Sequence, residues 1–100
     1  MAIVLATATF QPHFDLVQFN CEDTGSFQRR IDSYLNRAQT LFFNGDYNGA
    51  CFQLYAAINL EQSLAQNLSL HCPGWQNLQL SVEDGLFQLQ QMAQNTYHCQ

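Results

Sequence analysis

Residues 38 to 57 read Ala38-Gln39-Thr40-Leu41-Phe42-Phe43-Asn44-Gly45-Asp46-Tyr47-Asn48-Gly49-Ala50-Cys51-Phe52-Gln53-Leu54-Tyr55-Ala56-Ala57, and this stretch decides the fold. Helical patterning runs into Asn44-Gly45-Asp46 from one side and out of it on the other. Upstream, Phe27, Ile31, Tyr34, Leu35, Ala38, Leu41 and Phe42 recur at spacings of three and four, the signature of one apolar helical face. Ser26 or Thr24 can cap that helix by accepting a backbone N–H bond at its start, and Gly45 can end it in the left-handed conformation. Asp46 is placed to cap a second helix. Along it Tyr47, Ala50, Cys51, Leu54, Ala57, Ile58, Leu64, Ala65 and Leu68 form an apolar band wider than one stripe, which implies contact on two sides.

Further out, His71-Cys72-Pro73-Gly74 interrupts the pattern, and Pro73 suits the first turn of a third helix, where its missing N–H would have had no partner. Trp75, Leu78, Val82, Leu86, Leu89, Met92, Ala93 and Tyr97 then repeat at helical spacing. Gly85 interrupts that helix at a cost of about 1 kcal/mol relative to alanine and marks a candidate close crossing. The expectation is an all-α protein: a small antiparallel three-helix bundle over residues 24–100, preceded by an arm, residues 1–23. In that arm Ile3 to Phe10 suits a strand, whereas Phe10, Phe14, Val17 and Cys21 suit a helix broken by Pro12. Both readings stay open, with a short helix or irregular arm ahead.

The central stretch resembles the middle of a tetratricopeptide-repeat helical hairpin. Ala38, Ala50 and Ala57 stand at the pattern's small positions, Gly45-Asp46-Tyr47 at its turn and Leu54 at its large apolar position, while Gln62 stands where the pattern has a closing proline. The likeness spans about a third of the chain and implies two closely approaching helices. A repeat array is not expected, because no second copy is present and a solenoid needs about three. Microtubule-interacting-and-transport domains and HEPN-type bundles look similar around such a turn. The Arg-to-His spacing of the ribonuclease branch of the HEPN group is missing, so nothing catalytic carries over.

Composition narrows the function. One hundred residues make one domain, which buries about 60 to 70% of its unfolded surface. There is no lysine, and Arg29, Arg30 and Arg37 face eight carboxylates, for a net charge of −5. Nucleic acid is therefore an unsuitable partner, since phosphate neutralisation by Lys and Arg supplies most of such affinity. Anionic membrane surfaces are disfavoured for the same reason, and no apolar run approaches the ~20 residues of a membrane span. Fourteen Gln and eight Asn, scattered along the chain, carry the surface polarity. Cys21, Cys51, Cys72 and Cys99 are too sparse for a typical secreted disulfide scaffold and read as reduced thiols. Residues 1–10 lack the charged start and sustained apolar stretch of a signal peptide, so the expected compartment is cytoplasmic. In that setting Asn67-Leu68-Ser69 reads as a chance match to the glycosylation pattern.

The candidate chemistry is thin. His71-Cys72 and His98-Cys99 are zinc-ligand types, but about 27 residues of helix would separate them by roughly 40 Å, so only an antiparallel dimer could combine them. Cys72 beside His71 at a helix start is the one candidate thiol nucleophile; Cys51 reads as core. Glu22-Asp23 and Glu83-Asp84 are sequence neighbours that point apart on a helix and read as solvated charge. No catalytic residue, cofactor or resident metal is expected. Five aromatics, Phe42, Phe43, Tyr47, Phe52 and Tyr55, exceed what one hairpin buries, and Phe43 and Phe52 fall outside the apolar stripes. Exposed aromatics mark partner surfaces, although packing under the N-terminal arm would also account for them. The sequence thus predicts a non-enzymatic helical protein-protein interaction module, an adaptor or regulator, homodimeric or bound to another protein through these five residues. The alternative is a small metal- or ligand-dependent regulator using the His-Cys pairs.

Overall fold

Two helices meet at the expected turn. In the computed structural model, which describes residues 19–99, α1 (Thr24–Phe43) runs into Asn44-Gly45 and α2 (Tyr47–His71) leaves from Asp46; α3 (Gln76–Asn95) follows a short turn, and a single 3-10 turn (Cys21–Asp23) precedes α1. Gly45 takes φ 87°, the left-handed conformation that only glycine adopts at little cost. The Gly49 N–H donates to Asp46 Oδ1 at 3.0 Å, so Asp46 caps α2 as expected. The described residues form an all-α three-helix bundle, and no described helix is long and apolar enough to cross a membrane. The strand and helix alternatives for Ile3 to Phe10 lie outside the described residues.

Local departures from the sequence reading are confined to helix starts. Neither Ser26 nor Thr24 caps α1; Asp23 holds that position without a side-chain bond, and Asn20 caps the preceding turn by accepting from Glu22 N–H at 3.0 Å. Pro73 lies before α3, not within its first turn. The Trp75 N–H donates to Cys72 C=O at 3.0 Å, closing a turn across Pro73 and Gly74 and delaying the helix to Gln76.

The core is organised by α2, which packs against α1 on one side and α3 on the other, as its wide band implied. Ala38, Ala50, Leu54, Ala57, Leu64 and Leu68 are fully enclosed. The three alanines bring the hairpin helices close together, because a small side chain lets backbones approach. From α1 comes Ile31, and from α3 come Val82, Leu89 and Ala93.

Reading the cysteines as reduced thiols is overturned. Two disulfides join Cys21 to Cys72 and Cys51 to Cys99, leaving no free cysteine among the described residues. Each bridge fastens one end of α2 to a different neighbour: the segment entering α1 to the residue after α2, and the start of the second turn of α2 to the segment leaving α3. Antiparallel packing is what places these chain ends side by side. Cys51, read as a core thiol, is half-buried and bridged. Cys72, read as a candidate nucleophile, is 2% exposed and has no thiolate to offer.

Candidate interaction surface

The aromatic residues singled out by sequence gather at the Gly45 end of the bundle. Phe42, in the last turn of α1, is half-buried and forms the hub. Its ring meets Tyr97 at a centroid distance of 4.7 Å, Tyr47 edge-on at 5.2 Å and Phe43 edge-on at 6.3 Å. Edge-on and offset pairs of this kind contribute about 0.5 to 1.5 kcal/mol each beyond the area they bury. Phe42 therefore anchors the surface from below.

Around that hub the other four side chains face outward. Phe43 is 77% exposed and Phe52 71%, while Tyr47 and Tyr55 are exposed to a lesser degree. Phe43 and Phe52 fell outside the apolar stripes, and the helices turn them away from α2's core contacts for that reason. Two concavities border them. One of about 330 Å³ lies between α1 and the end of α3, lined by Leu35, Phe42, Phe43, Met92 and Tyr97. A second of about 310 Å³ is lined by Tyr47, Phe52, Tyr55, His98 and the Cys51–Cys99 bridge.

Sequence reasoning missed the residues that hold this surface in place. Tyr97 lay at the end of the α3 stripe and read only as core. The chain after α3 folds back on the helix: the Tyr97 N–H donates to Met92 C=O at 2.9 Å and the Cys99 N–H to Ala93 C=O at 2.7 Å. His98 takes φ 53° between them, and the bridge to Cys51 fixes the end of the segment. Tyr97 is pinned against Phe42 by these contacts, and burial raises its hydroxyl pKa above the ordinary value.

Chemically the site is apolar with few charges. Asp46 is committed to its helix cap, and the nearest cation on α1, Arg37, lies 5.3 Å from the Tyr34 ring and donates weakly to Gln53 Oε1 at 3.5 Å. The His-Cys pairs sit at opposite ends of α2 with both sulfurs in disulfides, which removes the thiolates that a metal would need. Among the described residues no three His, Cys, Asp or Glu side chains are grouped to hold a metal ion. No family model matches this chain, and no curated protein or solved structure matches it.

Proposed function

We propose that the protein is a non-enzymatic helical interaction module, an adaptor or regulator, that binds a protein partner, a second copy of itself first among them, through the aromatic surface at the Gly45 end. The observation that carries this reading is the grouping of Phe43, Tyr47, Phe52 and Tyr55 on the outside of a disulfide-fastened scaffold. Rigid, exposed aromatic side chains supply large contact areas at low entropic cost, and they dominate the energetics of protein interfaces. The scarcity of charge on this face is in keeping with an apolar contact.

Self-association is favoured by a separate feature. All three arginines lie on α1, whereas α3 carries only the carboxylates Glu83 and Asp84, flanked by exposed Leu80 and Phe87. In a two-fold dimer α1 of each copy can face α3 of the other, so such a division is self-complementary. The cytoplasmic placement expected from sequence rested on reduced thiols and on the character of residues 1–10; the two bridges remove the first ground, and an oxidising compartment is the setting in which such bridges persist.

The reading is tested by light scattering across a dilution series of the oxidised protein, compared with the variant carrying Phe43→Ala and Phe52→Ala. A dimer that dissociates on dilution and is weakened at least tenfold by the double substitution supports it. A monomer at all concentrations removes the second copy as occupant. An unchanged dimer in the variant moves the contact away from the aromatic surface.

A further inference from the structure

Glu61 stands in the middle of α2, inside the apolar stripe that links Ala57 and Ile58 to Leu64 and Ala65, and is only 5% exposed. It is the buried charged residue of the described chain, and its carboxyl group has no hydrogen-bond or ion-pair partner among the described residues. Opposite it, α3 presents Gly85. A Cβ placed there would lie 2.9 Å from Glu61 Oε2, so α3 meets the carboxyl group with bare backbone. This is the close crossing that the glycine marked.

The groups around Glu61 favour a neutral acid over a carboxylate. From α1 the charged group that acts on it is Asp32, itself a carboxylate. On α3, Glu83 and Asp84 precede Gly85 but are exposed, and they accept hydrogen bonds from Gln79 at 3.1 Å and Gln88 at 2.8 Å. Its neighbours one turn away on α2 are apolar. Arg29, Arg30 and Arg37 are exposed on α1, and none pairs with it. An ionised carboxylate in such surroundings is strongly disfavoured, whereas the protonated form is tolerated. Burial first, and the charge of Asp32 second, raise the Glu61 pKa above 4.5.

We propose that Glu61 is a proton-dependent latch on α3: protonated, it fits beneath Gly85 and the three helices close, and when ionised it loosens the middle of α3 from the α1–α2 hairpin. The inference is independent of the aromatic surface. The yielding element is α3 because α1 and α2 share the larger interface. Bridges at Cys72, just before α3, and Cys99, just after it, tether both of its ends to the rest of the bundle, so the opening is local and reversible.

Because the folded-state pKa lies above the unfolded one, the stability contributed by protonated Glu61 is complete below the ordinary carboxylate value of 4.5 and is lost as pH rises through the raised folded value. The experiment uses the full, oxidised chain. The Glu61 carboxyl is titrated by carbon NMR, and unfolding by urea is compared between wild type and Glu61→Gln from about pH 4 to 8. The ratio of the wild-type to the variant unfolding constant should rise about tenfold per pH unit between the ordinary carboxylate value and the Glu61 midpoint, then level off. Over that range amide exchange in α3, measured against Glu61→Gln, should quicken more than in α1, and Asp32→Asn should lower the Glu61 midpoint. A Glu61 midpoint at or below 4.5, a pH-independent ratio, or equal loosening of α1 and α3 would overturn the latch. If Glu61→Gln does not fold, the wild-type titration and Asp32→Asn decide the matter by the same criteria.

Discussion

The two ends of the bundle are fastened alike and finished differently. At the end where α1 begins, the Cys21–Cys72 bridge has one sulfur-bearing residue, Cys72, buried and the other half-buried, and Phe19 packs edge-on against Phe27 at 5.5 Å next to the core. At the Gly45 end, Cys51–Cys99 is half-buried and lines an open concavity, and the aromatics around it face outward. The same two devices, a bridge and a group of aromatic rings, thus belong to the packing at one end and stand exposed at the other. The difference lies in helix phase. Phe27 falls on the α1 face that carries Ile31 and Ala38, whereas Phe43 and Phe52 fall off the faces that α1 and α2 turn toward each other.

The largest expected effect comes from removing one bridge at a time. Each closes a loop of about 50 residues, for which the chain-entropy model assigns about 4 kcal/mol, so that contribution is the same at both ends. The ends separate through the native state. Cys21→Ser with Cys72→Ser leaves a hydroxyl at position 72, which is 2% exposed, at a further cost of about 1 to 3 kcal/mol. Cys51→Ser with Cys99→Ser leaves hydroxyls that solvent can reach. Urea unfolding of the two variants should therefore show the Cys21–Cys72 pair to be the more costly loss, and alkylation of the native wild type without reductant should label no cysteine. Equal losses would mean that the ends differ less than their burial indicates.

How far the sequence revealed this arrangement depends on the range of the interaction. Helix spacing, the Gly45 turn and the Asp46 cap are set by residues within a few positions of one another, and all were legible. The bridges join residues about 50 positions apart, and neither cysteine density nor the character of residues 1–10 carries a signal for such pairing. An antiparallel three-helix chain brings Cys21 beside Cys72 and Cys51 beside Cys99, so the predicted bundle already contained the pairing. Glu61 escaped for a related reason. It stands three residues from both Ile58 and Leu64, on the core face of α2, yet a charged residue leaves no mark on a stripe defined by apolar residues. Tyr97 was seen as core, but its role as a support for Phe42 depends on the fold-back of residues 96–99, which has no local periodic signal. The five aromatics were legible as a group, though Phe42 proves to be their base and the other four the exposed face.

A smaller effect sharpens the contrast between buried and presented rings. Phe27→Ala removes a half-buried ring that touches both Phe19 and the core, and should lower stability by about 2 kcal/mol, below the 3 to 5 kcal/mol of a fully enclosed phenylalanine. Urea denaturation measures it. A loss under about 0.5 kcal/mol, the range of ordinary surface substitutions, would show that the ring contributes no more than an exposed one and that the α1 end is not closed by it.

Phe52→Ala is expected to have the smallest effect on stability and to be the most informative about function. The ring is 71% exposed, so its removal forfeits little buried area, and alanine is the better helix former by a few tenths of a kcal/mol. The two contributions nearly cancel, and the urea midpoint should stay within about 0.5 kcal/mol of wild type. Association should weaken in the same variant, since a ring that contributes nothing to the fold is free to contribute to a contact. A single substitution that leaves the fold intact while shifting the dimer–monomer midpoint to higher concentration separates presentation from packing at one residue. If Phe52→Ala instead lowered stability by as much as Phe27→Ala, the ring would be covered within the monomer, and the outward aromatic face would have to be reassigned to the protein's own packing.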